Sequence, residues 1–410
     1  MPDMISEAIV VLLDASRSMF RADYSPNRLD ASKQAILDFI EARTNSDKEN
    51  GSASAFGLVV IRSSAEKIFD MADAAQYGNF EEYFTNLACG GTTALGDGLG
   101  LAIKILIEDI RTNGARIPRI LLISDGTITH TNIDPNKMGS LAKQLGMRVD
   151  CMLLGEMQAY NVLRQISETT NGKFTHTNNL DAMQRFARDL AVSNFLPPGS
   201  KADGSKNRIP QAILKKIASP LLTESEMSIG SQDQKEIIAR LRGTKSYEKC
   251  SICFQANDPI SKTEFNISEG MCSNCGTPMH YSCASQWAKN QNKGGDGTIF
   301  RCVHCLYLLK IPASVQTAVQ MAQNLKKEIR AENIQNLDSK TVNVQPVLAG
   351  TLGETALYSA CPVCSGIFED DEHVIKCGNR MCNAIYHMHC FDKLDDHQCK
   401  VCGYKLVQMF

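Results

Sequence analysis

Fourteen of the sixteen cysteines in this 410-residue chain lie after residue 249, most of them in C-x2-C pairs. Such a pair puts two thiolates on one tight turn, which is what a tetrahedral metal ion needs. A disulfide framework would instead need an oxidising compartment. The stretch Met1–Glu7 is polar and acidic and lacks the basic start of a secretory leader. The expectation is therefore an intracellular chain, cytoplasmic or nuclear, with metal-bound thiols. The first block runs Cys250-x2-Cys253-x18-Cys272-x2-Cys275-x4-His280-x2-Cys283-x18-Cys302-x2-Cys305. The second runs Cys361-x2-Cys364-x12-Cys377-x4-Cys382-x4-His387-x2-Cys390-x8-Cys399-x2-Cys402. Zinc takes four ligands, so eight per block imply two ions in each and four Zn²⁺ in all. Each all-cysteine site adds −2, and each site of three cysteines and a histidine adds −1. Two of each kind make six charges, which take the formal net charge from −2 to −8. Blocks this small bury too little apolar surface to fold alone, so metal supplies the folding energy.

The first 192 residues are different. Short runs rich in Val, Ile and Leu, at Ala8–Leu13, Ala55–Ile61, Ile117–Ile123 and Val149–Leu154, read as strands buried on both faces. Helical patterns lie between and after them, at Leu29–Ala42, Leu95–Ile110, Pro135–Leu145, Tyr160–Thr169 and Asp181–Val192. Lys67–Met71 reads as an edge strand. Strand–helix alternation predicts an α/β fold, a doubly wound and mostly parallel sheet of Rossmann-like type. The domains expected are 1–192 for this sheet, 193–245 for a linker with short helices near Gln211–Ala218 and Gln232–Leu241, and 246–312 for the first zinc domain. A helical linker over 313–355, patterned at Ser314–Asn336, and a second zinc domain over 356–410 complete the chain. No apolar run of membrane-spanning length appears. With 43 Lys+Arg against 45 Asp+Glu there is no global charge signal for nucleic acid.

Three oxygen-bearing loops follow strands of the sheet: Asp14-Ala15-Ser16-Arg17-Ser18, Gly90-Gly91-Thr92-Thr93 and Ser124-Asp125-Gly126. Open α/β sheets bind ligands at the carboxyl ends of their strands. Hydroxyl and carboxylate oxygens suit a hard divalent cation, Mg²⁺ or similar. The alternative is that these Ser and Asp residues only cap helices. D-x-S-x-S, then a Gly-Gly-Thr loop, then Asp-Gly after a buried strand resembles the von Willebrand factor A domain with its metal-ion-dependent adhesion site. The resemblance covers roughly residues 6–192. It implies Asp14, Ser16, Ser18, Thr93 (with Thr92 as runner-up) and Asp125 as the cation site, a partner's acidic side chain completing the shell, and protein binding rather than catalysis. Cys89 and Cys151 read as small buried hydrophobes.

Both cysteine blocks have the same ligand order, four cysteines, one histidine and three cysteines, which resembles RING and PHD zinc modules. That resemblance implies a cross-brace in which pairs one and three share one ion and pairs two and four the other. The first block would then hold Cys250, Cys253, His280 and Cys283 on one zinc and Cys272, Cys275, Cys302 and Cys305 on the second. In the second block His387 is preferred to His389, because His387-x2-Cys390 repeats His280-x2-Cys283. PHD fingers place a Trp before the last pair, and Phe300 stands there instead. RING domains that recruit a ubiquitin-conjugating enzyme carry an apolar residue inside the first pair, here Ile252, and often a Trp four after the sixth ligand, here Trp287. These two would form a docking patch, unless Trp287 packs into its own helix. Two departures are visible: Val303 and His304 fill the last pair, which often contains Pro, and Leu306 follows it where Arg is usual. In the second block Val363 and Leu394 take the corresponding places. Its seven cysteines are all assigned to zinc, so a covalent ubiquitin intermediate is not expected.

The favoured expectation is a RING-type ligase for ubiquitin or a ubiquitin-like protein that acts as a scaffold. Its first zinc module would hold the conjugating enzyme, and its von Willebrand A domain a protein client. The alternative is a non-enzymatic subunit of a transcription and DNA-repair complex, similar to the von Willebrand A/RING subunit of TFIIH. A chromatin-tail reader is the least favoured.

Overall fold

The computed structural model describes residues 6–73, 77–114, 116–128, 132–157, 161–193, 209–229, 249–264, 269–291, 297–312, 314–322, 324, 341–357 and 359–409. The chain forms two compact units, Met1–Gln316 and Thr317–Phe410. The expected helix near Gln232–Leu241 and most of Ser314–Asn336 lie outside the described residues.

The first unit is built on a six-stranded sheet. Its strands are β1 (Glu7–Asp14), β2 (Ala55–Ile61), β3 (Ala65–Asp73), β4 (Ile117–Ser124), β5 (Arg148–Leu154) and β6 (Phe174–Thr177), in the order β3-β2-β1-β4-β5-β6. All neighbours pair parallel except β3, which runs antiparallel on the edge beside β2. Each of β1, β2, β4 and β5 is buried along its whole length, which is why these strands read as continuous apolar runs. The four expected strands and the edge strand are present. The strand β6 and the helix α2 (Tyr77–Asn86) are additions to the expected set. The other helices are α1 (Arg28–Asn50), α3 (Leu95–Thr112), α4 (Pro135–Gln144), α5 (Val162–Thr169) and α6 (Leu180–Ala191).

Side chains alternate across the sheet. Ile9, Val11 and Leu13 face a core shared with Ile36 and Phe39 of α1 and Leu190 of α6. Val10 and Leu12 face Leu99 and Leu106 of α3 and Ile166 of α5. Full burial of each such side chain stabilises the fold by about 1.5–3 kcal/mol before entropy is subtracted. The strand order reverses between β1 and β4, so a crevice opens at their carboxyl ends, where doubly wound sheets hold ligands.

The first cysteine block is part of the same unit. It contains an antiparallel pair of β8 (Glu269–Met271) and β9 (Pro278–His280), the helix Tyr281–Gln291, and a second antiparallel pair of β10 (Ile299–Arg301) and β11 (Leu308–Lys310). The described part of the expected linker, 209–229, is built into it. There β7 (Ser219–Pro220) pairs parallel with β11, and Leu222 bridges to Met271. Helix α7 (Gln211–Ile217) puts Leu214 and Ile217 into the core cluster that holds Leu106 and Ile110 of α3 together with Ile299 and Leu308. The sheet domain and the first zinc block thus share apolar core.

Polar contacts fasten the same joint. A helix leaves its last four carbonyls without internal partners. At the end of α3, Arg301 donates from Nη1 to the Arg111 carbonyl at 2.6 Å and from Nη2 to the Ile110 carbonyl at 3.2 Å. Gly114 (φ +66°) makes room, because a Cβ there would sit 1.8 Å from Arg301 Nη2. Arg111 Nε donates to the Ile217 carbonyl at 2.6 Å, and the Tyr307 hydroxyl lies 3.1 Å from Glu108 Oε2.

The second unit pairs β12 (Thr341–Val344) in parallel with β16 (Lys405–Gln408), and packs β13 (Pro346–Leu348), β14 (His373–Lys376) and β15 (Ile385–His387) as an antiparallel sheet. Residues 341–348, expected within a helical linker, are therefore strands; the alternation in Thr341-Val342-Asn343-Val344 fits an edge position with Val344 buried. Its core combines Tyr386, Phe391 and Leu406 with the cysteines. No helix among the described residues of the chain is long and apolar enough to cross a membrane.

Candidate metal centres

The cation-type site lies at the carboxyl ends of β1 and β4. Asp14, the last residue of β1, is fully buried. Its Oδ1 accepts the Ser16 amide at 2.8 Å and its Oδ2 the Ser124 hydroxyl at 2.6 Å. Ser16 and Ser18 hydroxyls lie 3.1 Å apart. The glycine loop is tied to the first loop by Gly90 N–H donating to the Ala15 carbonyl and Arg17 N–H to the Gly91 carbonyl. Thr93 is buried beside it, whereas Thr92 is exposed, so the structure places Thr93 toward the interior. Asp125 is buried too, and its Oδ1 accepts the Thr127 amide at 3.0 Å. Burial pushes the Asp14 carboxyl up from 3.8 to about 6, against hydrogen bonds from Ser124 and Ser16 that lower it, and the nearby Asp125 charge adds to the rise. Two carboxylates and three hydroxyls are all hard oxygen donors, and a divalent cation would relieve this carboxylate crowding, so the donor set fits Mg²⁺ or a similar ion.

One participant has no sequence signal. Arg28, in the first turn of α1, donates from Nη1 to Asp125 Oδ2 at 2.9 Å, with both side chains almost wholly buried. Its Nε lies 2.8 Å from Asp23 Oδ1, and Nη2 bonds Asp23 Oδ2. Gly155 (φ +77°), just after β5, leaves the space: a Cβ there would approach Arg28 Nη2 to 2.4 Å.

The thiols and imidazoles gather into four groups. These are Cys250, Cys253, His280 and Cys283; Cys272, Cys275, Cys302 and Cys305; Cys361, Cys364, His387 and Cys390; and Cys377, Cys382, Cys399 and Cys402, with ligand atoms in each group within 4.8 Å of one another. In both blocks the first and third pairs share one group and the second and fourth the other. A Zn–S bond of ~2.3 Å in a tetrahedron sets sulfurs ~3.8 Å apart. The sulfurs of Cys272 and Cys305 are 3.7 Å apart, those of Cys275 and Cys302 3.8 Å, those of Cys377 and Cys402 3.6 Å, and those of Cys382 and Cys399 3.8 Å. These gaps are far beyond a disulfide bond of ~2.05 Å. His280 Nδ1 is 3.4 Å from Cys253 Sγ and 3.7 Å from Cys283 Sγ, and His387 Nδ1 is 3.3 Å from Cys364 Sγ. The opposite ring nitrogens face the Ala256 and Ile367 carbonyls, the outer partner that orients a metal-binding imidazole. His389 lies outside the group and stacks on His387. All four groups could bind zinc.

Tyr386, also unsignalled in the sequence, lies with its hydroxyl 3.1 Å from Cys399 Sγ. The Cys399 thiol is lowered to about 4 by hydrogen bonding from Cys377 and, after the opposing effect of burial, from Tyr386 and the Cys402 and Val401 amides. Outside the groups, burial raises the thiols of Cys89 and Cys151, which suits neither to nucleophilic work. Ile252 and Trp287 are both half-buried against the core of the first zinc module, and Trp287 Nε1 donates to the Arg301 carbonyl at 3.3 Å. Phe254 next to the first pair is exposed, as is Leu306 after the last.

Residues 9–127 match the family described as von Willebrand factor type A domain. The amino-terminal sheet is a von Willebrand A domain. Such domains mediate protein–protein interaction. The 26S proteasome regulatory subunit rpn10 of Schizosaccharomyces pombe is 22% identical over 246 residues, 60% of this chain and 98% of that protein. An uncharacterized protein of Borreliella burgdorferi is 26% identical over 231 residues, 50% of this chain; the match spans 61% of that protein's length. Among solved structures, the SpRpn10 VWA domain is 22% identical with a TM-score of 0.37, over 44% of this chain and 94% of that one.

Proposed function

We propose that this chain is a scaffold of a ubiquitin or ubiquitin-like conjugation system, in which the von Willebrand A domain holds a client and the first zinc module holds a conjugating enzyme. The observation that carries this reading is the interleaving of the ligand sets in the first module, with the helix Tyr281–Gln291 starting inside the third pair, carrying Cys283 and leading toward the fourth pair. That interleaving is what the cross-brace of a RING requires. Ile252 and Phe254 sit on its first zinc loop, and Trp287 on its helix, as an apolar face for a partner. A relative that shares the amino-terminal domain is named as a regulatory subunit of the 26S proteasome, which supports this reading. With fourteen cysteines in zinc-type groups and the remaining two raised by burial, ligase action would be non-covalent: two bound partners are brought together and a thioester is oriented.

At the other end, Asp14, Ser16, Ser18, Thr93 and Asp125 would hold the cation, whose chemistry is to attract an acidic side chain of the client. Phe20, 72% exposed two residues beyond Ser18, supplies an apolar contact at the rim of that site.

A second reading, a non-enzymatic subunit of a larger complex, has its own support. Leu306 stands where an Arg would engage the conjugate, and the carbonyl of Arg301 occupies the ring N–H of Trp287, giving that tryptophan a structural duty. The two readings separate in one assay. The full zinc-loaded chain is incubated with activating enzyme, ubiquitin and a panel of charged conjugating enzymes. Accelerated thioester discharge that is lost in Ile252→Ala, with zinc content unchanged, supports the ligase. No acceleration with any enzyme refutes it and leaves the subunit reading.

A further inference from the structure

We propose that Arg28 sets the cation affinity of the adhesion-type site by competing with the ion for Asp125; this rests on the cation-site reading above. Asp125 offers two oxygens, and each already has a partner: Oδ1 the Thr127 amide and Oδ2 the Arg28 guanidinium. The Arg28–Asp125 pair is buried from solvent on both sides, so water screens it little. An ion that engages Asp125 must share that carboxylate with a fixed positive charge or displace it.

The guanidinium has somewhere to stay when displaced. Its Nε and Nη2 form a fork on Asp23, whose side chain is 44% exposed, and Gly155 keeps the space around it open. Arg28 is thus shared by two carboxylates, one in the cation site and one outside it. The two ends of this arrangement pull in opposite directions. Asp23 draws the guanidinium outward and offsets its charge. Without Asp23, the whole positive charge would fall on Asp125 and on the incoming ion. Without Arg28, Asp125 becomes an unshared carboxylate facing the ion.

Opposite effects from two neighbouring substitutions are not what general loosening of a loop produces. The test is Mn²⁺ binding to the full, zinc-loaded chain, followed by the electron paramagnetic resonance of free Mn²⁺ and by titration calorimetry with Mg²⁺. Arg28→Gln should bind Mn²⁺ about tenfold or more tightly than the parent chain, and Asp23→Asn several-fold more weakly, roughly as one neighbouring charge changes a carboxylate's affinity for a cation. Binding by the parent chain with Arg28→Gln equal or weaker overturns the competition and leaves the cation site standing. If Arg28→Gln does not fold, Asp23→Asn alone decides, and unchanged or tighter binding there overturns the proposal. Absence of binding in the parent and both variants overturns the cation-site reading and this proposal together. Binding by Arg28→Gln when the parent binds nothing supports it.

Discussion

The charge on Asp14 is the feature of the cation site most open to experiment. Its carboxyl is fully buried at the end of β1, and its proton leaves only near pH 6 instead of 3.8. For an acid raised on folding, the folded state keeps its proton to higher pH than the unfolded chain. Ion-free stability is therefore unaffected by this group below about pH 4, declines between about 4 and 6, and stays lower above that. A displacement from 3.8 to about 6, at ~1.4 kcal/mol per pH unit, amounts to ~3 kcal/mol at neutral pH. Asp14→Asn removes the charge and keeps the shape. Its carbonyl can still accept the Ser16 amide, and the Ser124 hydroxyl can turn to accept from the new amide. In magnesium-free buffer with the zinc sites loaded, the variant should be the more stable protein at pH 7–8, with the advantage vanishing toward pH 4. Amide exchange read by mass spectrometry on peptides of β1 reports opening of the sheet, and ~3 kcal/mol is about a hundredfold slower exchange. Added Mg²⁺ should protect the parent and leave the variant unmoved. Parallel exchange of the two proteins from pH 4 to 8 would show that Asp14 carries no buried-charge penalty, and the electrostatic case for a cation there would fall with it.

Three further outcomes follow from other parts of the molecule. Arg301→Ala removes two charge-assisted bonds from the last turn of α3 and should cost about 2–4 kcal/mol at the joint, seen as faster amide exchange in α7 and the end of α3 with exchange in β5 unchanged. Arg119→Met takes from the buried carboxylates of Glu7 and Asp150 the guanidinium that lies 2.9 and 2.6 Å from them, leaving each with one arginine, Arg43 and Arg148, and should destabilise the sheet domain by about 3 kcal/mol in urea unfolding. Tyr386→Phe deletes the hydroxyl bonded to Cys399 and should weaken zinc at that one site about tenfold, measured as one equivalent released early to a chromogenic chelator while three remain.

How much of this could be read from the chain alone depended on how local the cause was. Zinc ligands come in short, rigid spacings, so the ligand pairs between Cys250 and Cys402 were legible locally; which pairs share an ion was implied by the resemblance to RING and PHD modules, and the four groups follow that interleaving. The strands β1, β2, β4 and β5 were legible because burial on both faces leaves almost nothing but apolar residues for seven or eight positions. By contrast β6 is four residues long with only Thr177 buried, too short and too polar for a period to show. The segment 209–229 looked like a linker because its flanking Gly, Ser and Lys dominate. Its apolar residues find a use only once the zinc module brings β11 alongside β7 and offers Leu308 to Leu214 and Ile217.

The arginines that escaped notice share one property: each is a charge with a partner far away in sequence. Arg119 interrupts a strand of apolar neighbours, and nothing nearby explains it. In the fold it meets Glu7 on β1 across 112 positions and Asp150 on β5 across 31. Burial alone would lower its proton affinity, and the two carboxylates more than reverse that. Arg28 meets Asp125 across 97 positions, and Arg301 meets Ile110 across 191. A buried arginine is tolerated only where the fold delivers acceptors to it, so its presence in an apolar context is itself a statement that distant elements converge there. Arg119 marks the amino-terminal end of the sheet, Arg28 the carboxyl-terminal crevice, and Arg301 the joint at the end of α3. Because α3 begins two residues after Thr93 and ends on Arg301, one rigid helix of eighteen residues connects the candidate cation site to the first zinc module.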